Sequence, residues 1–364
     1  MTTEGSTSTM SIDEDSTTAD RAPADRTPAD QETLLDVRGL RTEFQTARGL
    51  VAAVRDVSFT IRRRERLAIV GESGSGKSAM AMSIVGLIQP PGRVTAGEIR
   101  LGGTDLRGLP DRKLSEIRGS RISLVFQDPM SAFDPIRTIG AQMVENIRAH
   151  QPVSKGAARR QAADLLGEVG VTNASSRLSD YPHQYSGGMR QRVLIAMALA
   201  NSPELVIADE PTTALDVTTQ AQVLELLDRL VTDRGAALML ITHNLGIVAG
   251  FCDTVKVMYA GQLIEESESR ALFAQAAHPY SRELLKCVLR TDRRQEGLLS
   301  TIPGTLPDPT QPFTGCSFEP RCPLGKGNPL CRGTEPPVVA VEGPHGTQLA
   351  KCHFAGQLEL KEER

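Results

Sequence analysis

The stretch that most constrains this chain is a short apolar run, Leu67-Ala68-Ile69-Val70, that leads directly into Gly71-Glu72-Ser73-Gly74-Ser75-Gly76-Lys77-Ser78. The run suits a central strand covered on both faces. The next residues, Ala79-Met80-Ala81-Met82-Ser83-Ile84-Val85, suit a helix. Between strand and helix the glycines let backbone N–H groups close on an anion, and the helix start adds positive potential. The pattern G-x-x-x-x-G-K-S, with a strand before and a helix after, is a phosphate-binding loop. Residues Gly71 to Ala79 form the cradle, Lys77 bridges β- and γ-phosphate oxygens, and the Ser78 hydroxyl takes one Mg²⁺ position.

A second stretch, residues 185–216, packs three devices together. Ser186-Gly187-Gly188 opens a helical run, and bare backbone at a helix start is a natural anion site. The apolar helix extends from about 189 to 200 and stops before Asn201-Ser202-Pro203. Leu205-Val206-Ile207-Ala208 reads as a buried strand ending in two adjacent carboxylates, Asp209 and Glu210. Pro211-Thr212-Thr213-Ala214-Leu215-Asp216 comes at once after them. In this order the chain resembles the ATP-binding-cassette (ABC) ATPases, whose signature motif, Walker B strand, catalytic glutamate and D-loop fall on these positions.

The resemblance implies an α/β fold: a P-loop NTPase cassette with a RecA-like core, an antiparallel β subdomain and a helical subdomain. It also gives roles to residues that mean little alone. The strand 121–126 ends at Gln127, which becomes the Q-loop glutamine, reaching Mg²⁺ and the γ-phosphate. The strand 236–242 ends at His243, which becomes the H-loop histidine. Asp209 joins Ser78 and Gln127 around Mg²⁺, and Glu210 is the general base. Ser186, Gly187 and Gly188 complete the site of a partner cassette. The family's adenine-stacking position holds Arg48 here, with Phe44 nearby.

Residues 1–33 carry eight acids against two arginines among Thr, Ser, Ala and Pro, the composition of a disordered tail. The cassette is expected over 34–266, with short strands at 35–37, 51–54 and 57–61. Its helical subdomain is expected at about 137–187, and a distinct module over 267–364. That module resembles the C-terminal extension of oligopeptide and dipeptide importer ATPases.

The module holds Cys316, Cys322, Cys331 and Cys352, separated by five, eight and twenty residues in a loop-rich region. Four cysteines where little apolar mass is available suggest a metal staple, and four thiolates suit either zinc or a [4Fe–4S] cluster. The related importer subunits point to the cluster. Cys252 and Cys287 read as buried small hydrophobes.

With 364 residues, 40% hydrophobic and 23% charged, the composition is that of a globular protein; a net charge of −3 gives no footprint for nucleic acid. No apolar run approaches the ~20 residues that span a bilayer, and the acidic N-terminus lacks the form of a secretory signal. The expectation is an ATPase on the cytoplasmic face of the membrane, powering peptide import. Its expected partners are a second, different ABC ATPase, two transmembrane permeases and an extracytoplasmic peptide-binding protein. A homodimer, a nickel or other small-solute importer, and a non-transport ABC ATPase are the alternatives.

Overall fold

A computed structural model describes residues 32–213, 215–287, 302–311 and 313–357. The expected acidic tail lies almost wholly outside them. The chain opens with strands β1 (Thr33–Thr46), β2 (Gly49–Arg62) and β3 (Arg66–Val70), then helix α1 (Lys77–Ile84). Next come β4 (Gly92–Leu101), β5 (Thr104–Asp105), α2 (Asp111–Ile117) and β6 (Ile122–Val125). A helical stretch comes after β6: α3 (Pro129–Ala132), α4 (Ile139–His150), α5 (Lys155–Glu168), α6 (Ala174–Arg177) and α7 (Gly187–Leu199). The core resumes with β7 (Leu205–Asp209), α8 (Val217–Asp233), β8 (Ala237–Thr242), α9 (Leu245–Phe251), β9 (Thr254–Tyr259) and β10 (Gln262–Glu268). The extension holds α10 (Ser269–Gln275), α11 (Pro279–Lys286), α12 (Pro329–Gly333), β11 (Val338–Gly343) and β12 (Gly346–Lys351).

Among the described residues two sheets form. One runs β2-β1-β4-β5 and is antiparallel; the other runs β11-β12-β10-β9-β3-β8-β7-β6. In the second, β9, β3, β8, β7 and β6 are mutually parallel. Alternation along each strand sorts side chains to opposite faces. Leu67, Ile69, Leu205, Ile207, Met239 and Ile241 pack towards the antiparallel sheet and α1. Ala68, Val70, Val206, Ala208, Leu238 and Leu240 pack towards the helices. Burial on both faces is why these strands read as unbroken apolar runs. In the helical stretch, Thr138 and Ser154 cap α4 and α5 by accepting from N–H groups three residues on.

Two expectations change. The strands foreseen at 51–54 and 57–61 are one strand, β2, with Asp56 at φ 57° and register shifts against β1 absorbing the break. The extension, expected as a distinct module, also shares a sheet with the core. Its strand β12 pairs antiparallel with β10 and β11, so the extension lengthens the central sheet.

A buried aromatic trio joins extension to core. Tyr259 at the end of β9 lies 4.6 Å from Tyr280 and 5.3 Å from Phe318 between ring centroids, and Tyr280 lies 5.3 Å from Phe318. The turn before Tyr280 is fixed by Glu265, which accepts from the Ala277 and His278 N–H groups. His278 accepts from the Tyr280 N–H, and burial pushes its pKa down to about 3, keeping the ring neutral. Phe318→Ala should cost about 3–5 kcal/mol, read as a lowered chemical-denaturation midpoint. An unchanged midpoint would show that the trio does not join the two parts.

Candidate active site

The sequence-predicted residues gather because each comes after a parallel strand. The loop 71–76 continues β3, Gln127 lies just past β6, Asp209 closes β7 with Glu210 behind it, and His243 lies just past β8. Carboxyl ends of parallel strands form the crevice where ligands of α/β sheets sit.

The loop's shape is enforced by its surroundings. A Cβ on Gly71 would stand 2.1 Å from the Met258 carbonyl oxygen, and one on Gly76 2.2 Å from that of Ala53. Both glycines have positive φ, 156° and 103°. The Gly261 N–H donates to the Ser75 carbonyl and the Arg55 N–H to that of Gly261, tying the loop to both sheets. Lys77 is 4% exposed and its Nζ donates to the Gly71 and Glu72 carbonyls at 2.8 and 2.9 Å. Burial lowers its pKa, opposed by the charges of Glu210, Asp209 and Glu72.

Buried polar atoms show what this cradle lacks. Asp209 Oδ1 and Ser75 Oγ are buried without a partner. Burial raises the Asp209 pKa, the Ser78 hydrogen bond lowers it, and the Glu210 charge raises it again. Ser78 and Asp209 are thus already in contact. A small hard cation taking oxygens from both, with phosphate oxygens completing its shell, fits this arrangement.

Glu210 is the hub. Its Oε2 accepts from Gln127 Nε2 at 3.0 Å and Thr213 Oγ1 at 2.8 Å, and His243 Nδ1 lies 3.3 Å away. Gln127 therefore bonds the carboxylate here, although its expected partner was the metal. The Glu210 backbone is left-handed, φ 45°, with its N–H held by the Ile241 carbonyl. Strain of that kind concentrates where a side chain must be aimed. Thr213 was missed in the sequence, where its only signal was standing three residues after Glu210.

Ser186 caps α7, accepting from the Met189 N–H, and Gly187 and Gly188 form its first turn. This turn packs on the D-loop and α8: a Cβ on Gly188 would meet Thr219 Cγ2 at 2.8 Å. Arg48 is exposed in the turn between β1 and β2, and Phe44 packs against Gly92. Thr310 lies beside that turn at Gly49, and Asp308 is electrostatically coupled to Arg48.

The four cysteines of the extension share one neighbourhood. The Cys316 N–H donates to the Cys331 carbonyl, and the Cys322 and Cys352 sulfurs accept from the Gly325 and Phe354 N–H groups. A Cβ on Gly325 would stand 3.0 Å from Cys331 Sγ and 3.4 Å from Cys322 Sγ, so a side chain there would crowd the sulfurs. Burial pushes the Cys316 and Cys352 thiols up to about 11, and neighbouring sulfurs add to it. Among the described residues no group of three or more His, Cys, Asp or Glu is arranged to hold a metal ion. Cys252 is buried as expected, but Cys287, at the end of α11, is exposed.

Comparison with known proteins agrees with this geometry. The ABC transporter family model matches residues 54–213, and the model of the oligopeptide/dipeptide transporter C-terminal region matches 264–328. The oligopeptide transport ATP-binding protein OppD of Salmonella typhimurium is 47% identical, over 80% of this chain and 86% of its own. The dipeptide transport ATP-binding protein DppD of Escherichia coli is 43% identical, over 88% of this chain and 96% of its own. A bacterial ABC transporter cassette solved as a dimer superimposes with a TM-score of 0.59 at 28% identity, over 65% of this chain and 99% of its own. With relatives this similar over most of their length, the chain belongs to the ABC transporter ATPases, in the group whose cassettes continue into the oligopeptide/dipeptide transporter C-terminal region.

Proposed function

We propose that this chain hydrolyses ATP to power import of oligopeptides or dipeptides, as the peripheral ATPase of a membrane transporter. The observation that carries the catalytic half is the convergence of Gln127, Thr213 and His243 on one oxygen of Glu210, beside the phosphate loop. The peptide half rests on the C-terminal region and on the OppD and DppD relatives.

In this reading Lys77 leaves the loop carbonyls for the phosphates, which the amides of residues 71–79 surround. Ser78, Asp209 and Gln127 would hold Mg²⁺, which when bound neutralises charge on the phosphate oxygens. Gln127 in moving releases Glu210, whose carboxylate takes the proton of the attacking water. His243 turns from Glu210 to hold the γ-phosphate. Arg48 would stack on the adenine through its guanidinium plane.

The chain has one phosphate loop and one signature turn, so Ser186, Gly187 and Gly188 serve a second cassette, most economically a related but different ATPase. Among the described residues no helix is long and apolar enough to cross a membrane. Two permease subunits therefore supply the path, with a peptide-binding protein outside. The groove lined by Leu87, Phe126, Ala132, Asn146, Leu194 and Met197 lies between core and helical stretch, where a permease segment would dock. Cys316, Cys322, Cys331 and Cys352 would ligate a [4Fe–4S] cluster, one thiolate to each iron.

Glu210→Gln should retain ATP binding and lose about 100-fold or more of its turnover, read by phosphate release; turnover near wild type would refute Glu210 as the base. Anaerobic purification followed by iron, sulfide and zinc assay should return iron and sulfide, and colourless iron-free protein would sink the cluster. A mild-detergent pull-down should recover two multi-spanning proteins and a second cassette. Recovery of this chain as the only cassette would establish a homodimer, and recovery with no membrane protein would end the transport reading.

A further inference from the structure

The Arg321 side chain is 5% exposed. Its guanidinium makes four hydrogen bonds to three parts of the chain. Nε donates to the Pro303 carbonyl at 2.8 Å and Nη2 to that of Ile302 at 3.2 Å. Nη1 donates to the Tyr259 hydroxyl at 3.3 Å and to Glu72 Oε2 at 3.1 Å.

Glu72 is the second residue of the phosphate loop. Its N–H donates to the Tyr280 hydroxyl at 2.9 Å, so the extension holds its backbone as well as its carboxylate. Its carbonyl accepts from Lys77 Nζ and from the Ser75 N–H. Its other carboxylate oxygen, Oε1, is buried with no partner. Leu306, from the segment Arg321 fastens, would lie 3.4 Å from a Cβ on Gly74. A carboxylate here stands next to the place where a polyanion binds. Uncompensated, it would repel phosphate and draw Lys77 towards itself.

We propose that Arg321 is a positioning residue of the phosphate loop: it neutralises Glu72 and fixes the loop's first turn, so that nucleotide affinity depends on the cysteine-bearing extension. Arg321 stands beside Cys322, in the short 3₁₀ turn Glu319–Arg321 between Cys316 and Cys322. The fold of the cysteine loop thereby sets the position of the guanidinium. This rests on residues 71–79 being the ATP site.

The test is titration calorimetry of Mg²⁺ with a non-hydrolysable ATP analogue on the full chain, for wild type, Arg321→Gln, Glu72→Gln and the double variant. Arg321→Gln should weaken binding by about tenfold or more. Glu72→Gln keeps an acceptor for Arg321 while removing the negative charge, so it should bind at least as tightly as wild type. The double variant should return to within about threefold of wild type. A merely structural pair gives another pattern: both single variants weakened alike and the double no better than the worse one, which would overturn the proposal. So would wild-type affinity in Arg321→Gln. If that variant does not fold, Glu72→Gln decides alone, and weaker binding there refutes the charge argument. Wild type that binds no analogue would bring down the ATP reading itself.

Discussion

A backbone that must turn its amides inward around an anion can carry no side chains where it bends, and the rest of this molecule is built to keep that bend. Carbonyls of Met258 and Ala53 stand where Cβ atoms of Gly71 and Gly76 would be. They belong to β9 and β2, so both sheets press on the same few residues. The loop has no freedom to be anything but a cradle. Pre-formed geometry keeps the entropy cost of phosphate binding low, because little remains to be ordered when the ligand arrives.

Around that cradle the protein buries an unusual density of ionisable groups. Lys77, Asp209 and Glu210 are all under one tenth exposed. Burying charge is costly unless each group finds partners, and here the partners are provisional. Lys77 rests on carbonyls, Gln127 and His243 rest on Glu210, and Asp209 keeps one oxygen unpaired.

Much of this was legible in the sequence because it is local. β3, the glycine loop and α1 are contiguous, and so are α7, β7, Asp209 and Glu210. Gln127 and His243 became readable only by resemblance, since a polar residue at a strand's end carries no signal of its own. The extension was read least well. Its cysteines suggested a metal staple, and nothing in its sequence showed that Leu349 and Ala350 pair with Glu266 and Glu265 of the central sheet. Apolar content could not show this: β11 is a largely exposed edge strand, and β12 beside it has only a weak alternation. The Arg321–Glu72 pair joins residues 249 apart in sequence. No spacing rule reaches that far. Cys287 was misread because an apolar neighbourhood in sequence does not fix which face of a short helix end meets water.

The pairing of β12 with β10 also governs the order in which the molecule can be made. During synthesis, β10 emerges with its outer edge open, and its partner strand appears only after the whole cysteine loop has been translated. At ~5–20 residues per second that interval is on the order of several seconds. For that time the finished cassette presents a row of unpaired backbone groups, the feature that invites strand-to-strand association. β12 comes about eighty residues after β10, so a product truncated before β12 would carry an intact catalytic sequence on an unprotected edge.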